Sequence, residues 1–347
     1  FYILFLFFII FFIKFSTVKV NANNYKVLDL EISKIYNNDF NKEAIIDMAF
    51  KKAFKELILR ITTTNGEYLS EVTNLKTIYS LIESFSIIDE KFVDNKYVSK
   101  FEVEFSKKEL FKYLEKKNIF PSIPKEKSLL LIPILINNDN KQALLFSENP
   151  FYSNWNKSKK KHHLIKYILP NEDIEDYDII KSNIKNIENF NFRKITEKYN
   201  LQNEIILIML KTNTQLRIFA KIKFEKNKLI LNRIYNFRDI ESKDEIKDVI
   251  LDIKDNFEDK WKLENKINIS IKIPIRLSIS SQKTKLSEEL ENKLSSIDLV
   301  SRYKIETFNN KEIIYKIIFN GNPNKLLDIM DLYDFKIDAS NEVWKIQ

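Results

Sequence analysis

The chain of 347 residues holds two histidines, His162 and His163, and they are adjacent. Imidazole is the side chain best suited to moving protons or holding a transition metal near neutral pH. Neighbouring residues point to opposite faces of a strand and diverge on a helix, so this pair is not expected to chelate one ion. It follows Lys157, Lys159, Lys160 and Lys161, whose charge opposes cation binding. Lys159, Lys160, Lys161 and His162 therefore read as an exposed basic loop entering a strand, or as a patch for anions or phospholipid headgroups. A second candidate is Asn149-Pro150-Phe151-Tyr152-Ser153-Asn154-Trp155. Pro150, Phe151, Tyr152 and Trp155 either form a binding surface or plug the edge of a core, and the sequence leaves both open. A third is the run from Glu172 to Asp178, with five acids in seven residues. Acids suit the first turn of a helix. The run lacks the alternation and central Gly of a calcium loop. A carboxylate pair for a hydrolase remains open, but acids are too common here to single one out.

Absent residue types restrict the chemistry further. There is no Cys, which excludes disulfides, thiolate catalysis and Cys-based zinc sites. Gly66 and Gly321 are the only glycines. Phosphate-cradling loops and the serine-hydrolase elbow need several, so neither can be written here. No cofactor and no metal site are expected. The net charge of +8 falls to +6 without Lys14 and Lys19, and Lys-rich composition accounts for it, so no nucleic-acid partner is expected.

The first residues carry an address. Phe1 to Ile13 are uniformly apolar, Lys14 interrupts them, and Val20-Asn21-Ala22 follows. A spanning helix needs roughly 20 apolar residues, a signal-peptide core about 7 to 15. Residues 1–22 read as a signal peptide cleaved after Ala22, with an uncleaved anchor as the alternative.

The remainder divides into three α/β (α+β) segments. Residues 23–120 give β-α-β-β-α: a strand over Tyr25–Ile35, a helix over Asn41–Ile61 ending near Gly66, a shorter helix over Asn74–Ser84, strands over Phe85–Val93 and Tyr97–Phe105, and a helix capped by Ser106. Gly66 reads as a positive-φ terminator. Pro121-Ser122-Ile123-Pro124 reads as a stiff linker. Residues 126–264 give a sheet of about five strands. Its apolar strands are Leu129–Ile136, Leu164–Leu169 and Glu204–Leu210, followed by a hairpin of Leu216–Phe224 with Leu229–Phe237. A helical stretch spans Asp173–Tyr199, and a helix from Lys243 to Leu263 carries an apolar stripe. Residues 266–347 give β-α-β-β-α-β, the order of a split βαβ, ferredoxin-like unit, with a possible extra strand over Glu342–Ile346. Its first strand alternates from Ile267 to Ile279, and Pro274 argues for an edge or a bulge. Its expected core is Ile269, Ile271, Leu290, Tyr303, Ile317 and Met330.

Several blocks resemble the exported proteobacterial family known as domain of unknown function 2066. They are the Ala-containing helix running into Arg60-Ile61-Thr62-Thr63-Thr64-Asn65-Gly66, the strand Tyr97–Phe105, the apolar Leu129 strand, the Asn149-Pro150 block ending at Trp155, and Leu169-Pro170-Asn171-Glu172-Asp173-Ile174-Glu175-Asp176. Family members usually carry Gly where this chain has Asn171. The resemblance covers most of residues 25–237 and implies export, without supplying catalytic residues. The expectation is a periplasmic, non-enzymatic binding or scaffold protein of the cell envelope, with an envelope protein as partner and peripheral membrane contact possible. A carboxylate-dependent periplasmic hydrolase and a membrane-anchored surface protein are the alternatives.

Overall fold

The computed structural model describes residues 24–38, 40–137, 142–225 and 227–347. The signal-peptide reading of residues 1–22 lies outside them. No helix among the described residues is long and apolar enough to cross a membrane.

Helices and strands alternate through three sheets, one from each segment. The first segment runs β1 (Lys26–Ile35), α1 (Lys42–Ile61), α2 (Glu67–Val72), α3 (Leu75–Leu81), β2 (Ile82–Val93), β3 (Lys96–Phe105) and α4 (Lys107–Lys116). Its antiparallel sheet has the order β1-β3-β2. Asn41 caps α1 by accepting from Glu43 N, and Ala49 and Ala53 let the helix lie close against the sheet. Gly66 does not terminate α1 by positive φ; its φ is −76°. The residue is small for another reason. An added Cβ would sit 1.7 Å from Thr62 Oγ1, which donates to Ile58 O at 2.7 Å.

The second segment contributes β4 (Lys127–Asn137), β5 (Gln142–Leu144), α5 (Pro150–Trp155), β6 (Ile165–Ile168), α6 (Ile174–Ser182), α7 (Arg193–Thr196), β7 (Glu204–Lys211), β8 (Gln215–Phe224), β9 (Asn227–Asn236) and α8 (Lys243–Glu264). The sheet order is β5-β4-β7-β8-β9, and β6 also pairs with β4. Strands β4 and β7 are parallel and buried on both faces, as their unbroken apolar runs require. One face packs on α5 and α8, the other on α6 and the irregular turns after it. The expected single helical stretch from Asp173 to Tyr199 is instead broken into short turns, with Asn186 non-helical at φ −130°. Asn183, Asn186, Asn189 and Asn191 each offer the backbone a local alternative to the helix.

The third segment runs β10 (Ile273–Ser280), α9 (Thr284–Ser296), β11 (Val300–Phe308), β12 (Glu312–Phe319), α10 (Pro323–Asp331), β13 (Ile337–Asp338) and β14 (Val343–Ile346), in the order β11-β12-β10-β14-β13. Strands β10 and β11 both run antiparallel to β12, which lies between them as in a split βαβ unit. The second half departs from that plan. Strand β14 turns back from β13 and takes the place beside β10, parallel to it. Pro274 therefore lies on an inner strand, beyond the Arg276–Ser278 stretch that β14 covers. The Ile267–Ile271 half of the alternating run is not strand: Ile269 N donates to Ile267 O, and Ile271 N to Asn268 O. Ile271 is exposed rather than core, and Tyr303 is only partly buried.

The first and third segments bury one continuous core. Tyr25 Oη donates to Asp298 Oδ1 at 2.9 Å, and Lys107 Nζ donates to Ile297 O and Val300 O at 2.8 and 3.1 Å. The proline linker is pinned rather than free, with Ser122 bridged to Lys266 and donating to Ile61 O.

Candidate functional site

Strand β4 lacks a strand partner midway along one side. β6 covers Lys127–Leu130 and β5 covers Leu135–Asn137, leaving Pro133 between them. Proline has no N–H to leave unpaired there. Its carbonyl accepts from Asn149 Nδ2 at 3.1 Å. Asn149 Oδ1 in turn accepts from Phe151 N at 3.0 Å and caps α5, with Pro150 in the first turn. One buried amide thus closes the sheet edge and starts the helix. That geometry drives Phe151 and Trp155 inward, and both are 0% exposed. The expected aromatic binding surface is therefore corrected for these two residues, which plug the core between the sheet and α8. Tyr152 is half-buried, its hydroxyl donating to Pro170 O at 2.8 Å, and Pro150 is half-buried beside it.

Three ionisable residues spaced four apart on α8 are buried under other elements: Lys254 and Glu258 under residues 155–165, and Lys262 under the end of α1. Lys254 Nζ donates to Trp155 O and Ser158 O at 2.7 and 2.6 Å, closing the C-terminus of α5. It lies 5.0 Å from the Tyr167 ring centroid, and burial pushes its pKa down to about 8. Glu258 is 1% exposed and accepts from Leu164 N and Ile165 N at 3.0 and 2.8 Å. Burial raises its pKa, and the two N–H groups pull back. Lys262 Nζ donates to Leu59 O at 2.6 Å, meeting an orphan carbonyl at the end of α1. Each buried charge has a partner that holds two elements together.

Asp255 sits on the same helix, facing the basic loop. Its Oδ2 accepts from Lys160 Nζ at 2.5 Å, and its Oδ1 lies 3.1 Å from His163 Nε2. Burial works to raise the Asp255 pKa, but the His163 and Lys160 contacts outweigh it and hold the value below the usual range. Burial, reinforced by His163, Lys262 and Lys160, pushes His162 down to about 3, so its ring is neutral. Lys161 reaches Asp29 O at 3.3 Å, and Lys159 is exposed. The expected basic patch is corrected accordingly: Lys160 is spent on Asp255 and His162 carries no charge. The divergence expected of the two histidines is also corrected. They lie in a turn, neither strand nor helix, with ring centroids 5.2 Å apart. Donor atoms of His162, His163 and Asp255 all lie within 4.8 Å of one another, so these are the residues that could hold a metal.

The acidic run serves α6. Asp173 caps it by accepting from Asp176 N at 3.2 Å. Lys198 meets Asp173, Glu175 and Asp176 at 3.1, 3.5 and 2.7 Å.

No known protein family matches the chain, and no curated protein does either. Among several open grooves on the described residues, one of about 820 Å³ lies on the central sheet, between residues 190–202 and strands β7 to β9. Phe192, Arg193, Lys221, Lys223, Lys228 and Ile230 line it together with Glu197 and Glu204, and Arg193 Nε pairs with Glu197 Oε1 at 2.5 Å. Lys221 Nζ donates to Phe190 O at 3.3 Å, and Lys223 pairs loosely with Glu204 at 3.9 Å. Lys228 makes no ion pair among the described residues. Ile230 and Ile234, on the sheet's edge strand, are 61% and 66% exposed. The sequence carries a trace of this surface. Leu229, Leu231 and Tyr235 face the core, so Ile230 and Ile234 stand where an alternating strand should be polar.

Two buried tyrosines of the fold also set an alkaline limit. Burial, the largest cause in both, raises the Tyr25 and Tyr167 hydroxyls well above their ordinary value, and nearby acids add to it. An unfolded tyrosine releases its proton near pH 10, whereas the folded ones keep theirs. Their contribution is whole below pH 10 and is lost as pH rises above it, by about 1 kcal/mol per tyrosine between pH 10 and 11. Urea melts across that interval should show the loss. Tyr167→Phe, whose hydroxyl has no hydrogen-bond partner among the described residues, should flatten the slope while leaving stability at pH 7 unchanged.

Proposed function

We propose that the protein is a non-catalytic binding module of the cell envelope, exported to the periplasm, and that the groove beside β9 takes an extended acidic segment of a partner protein. The observation that carries this is the groove itself. It has an apolar floor with Ile230 exposed; Arg193 is paired there with Glu197 and Lys223 loosely with Glu204, which leaves Lys221 and Lys228 as the basic excess, so apolar side chains and carboxylates of one segment would both find partners. The ionisable groups elsewhere support the same reading, because Lys254, Glu258 and Lys262 are engaged in holding elements together. Export rests on the apolar run Phe1–Ile13 with Val20-Asn21-Ala22 after it, and on the family resemblance.

The test is fluorescence anisotropy with a labelled peptide that alternates Asp or Glu with Leu or Phe. Binding in the micromolar range is expected, weakening as salt is added. The double substitution Lys221→Gln, Lys223→Gln, which removes the charges without setting a carboxylate opposite Glu204, should weaken it by about fivefold or more, with circular dichroism checking that the variant folds. Equal affinity in the well-folded double variant would contradict the assignment.

A further inference from the structure

We propose that His162, His163 and Asp255 form a binding site for one transition-metal dication, Zn²⁺ being the class it fits best. Two imidazoles and one carboxylate converge from the turn before β6 and from α8. His163 Nε2 and Asp255 Oδ1 are 3.1 Å apart. Two donors bound to one zinc at ordinary lengths stand about 3.3 Å apart, so the hydrogen bond that joins this pair holds it near the spacing of adjacent ligands and gives way when an ion enters. The third donor, on His162, lies within 4.8 Å of both and needs only a ring rotation or a small turn movement to close. Three protein ligands leave a position for water.

The surroundings select the ion. Lys160 holds the other Asp255 oxygen, and Lys262 is held on Leu59 O nearby. Two ammonium groups penalise a hard cation, whose affinity comes from carboxylate charge. They repel a transition-metal dication as strongly, but its bonds to imidazole nitrogen, which a hard cation does not favour, offset that repulsion. Lys160 is part-exposed and can leave Asp255 for solvent when the ion enters. Its ammonium is thus the competitor that sets the affinity.

Isothermal titration of the full protein with Zn²⁺, after dialysis against chelator, tests the site. One ion per chain is expected, with Co²⁺ giving the visible absorption of a low-coordinate nitrogen and oxygen site. His162→Ala should weaken binding by about tenfold or more, and Lys160→Met should tighten it by a similar factor. His162 is part-exposed, so its substitution should leave the fold intact, and circular dichroism checks this. Failure of both the wild type and Lys160→Met to bind Zn²⁺ would overturn the proposal. So would binding that persists unchanged in His162→Ala, which would place the ion elsewhere.

Discussion

Trp155→Ala should destabilise the protein by about 3 to 5 kcal/mol, enough to abolish most of the stability of a typical domain. The indole is 0% exposed, lies edge-on to Tyr167 with centroids 5.5 Å apart, and packs against Phe257 of α8. Truncation leaves a cavity that the buried strands β4 and β7 cannot collapse into without breaking their ladder. Lys254 would also lose the ring beneath its ammonium. Trp155→Phe should cost markedly less, since Trp155 Nε1 has no partner among the described residues and little but ring area is lost. Urea unfolding followed by circular dichroism would read both variants. A Trp155→Ala protein as stable as wild type would contradict the packing and return the residue to the surface.

Glu258→Ala should lose about 3 kcal/mol or more, although no apolar contact is at stake. Removing the carboxylate leaves Leu164 N and Ile165 N buried and unpaired at the start of β6, at about 1 to 3 kcal/mol each. Glu258→Gln retains one acceptor oxygen and should lose about half as much. The ordering Ala worse than Gln, with β6 amides exchanging fastest in the Ala variant, separates this mechanism from a general loss of helix packing. Equal melting of the Ala variant and wild type would refute it.

Periodicity alone makes α8 legible: Ile246, Val249, Ile250, Ile253, Phe257 and Trp261 recur at helical spacing and are all buried. Periodicity also hides the other stripe. Lys254, Glu258 and Lys262 look like a solvated face until the 155–165 segment and the end of α1 are laid over them. The α/β class and the strand alternation of β3 and β8 follow from residue spacing. The returning β14 does not, because four residues of mixed character carry no signal for which neighbour they choose. Asn149 shows the same limit in one side chain. Its role as helix cap is legible from Asn-Pro, but its bond to Pro133 joins residues sixteen apart, with β5 between them. The histidine pair escapes periodicity altogether, because adjacent residues diverge on a helix or a strand while a turn brings their rings together.

The most direct test of the binding account is hydrogen–deuterium exchange of the protein with and without the acidic peptide. Protection is predicted over residues 227–236 and 190–202, where β9 and the facing turns form the groove, with residues 150–163 unchanged. Protection confined to residues 150–163, or none at peptide concentrations that saturate the anisotropy signal, would contradict it.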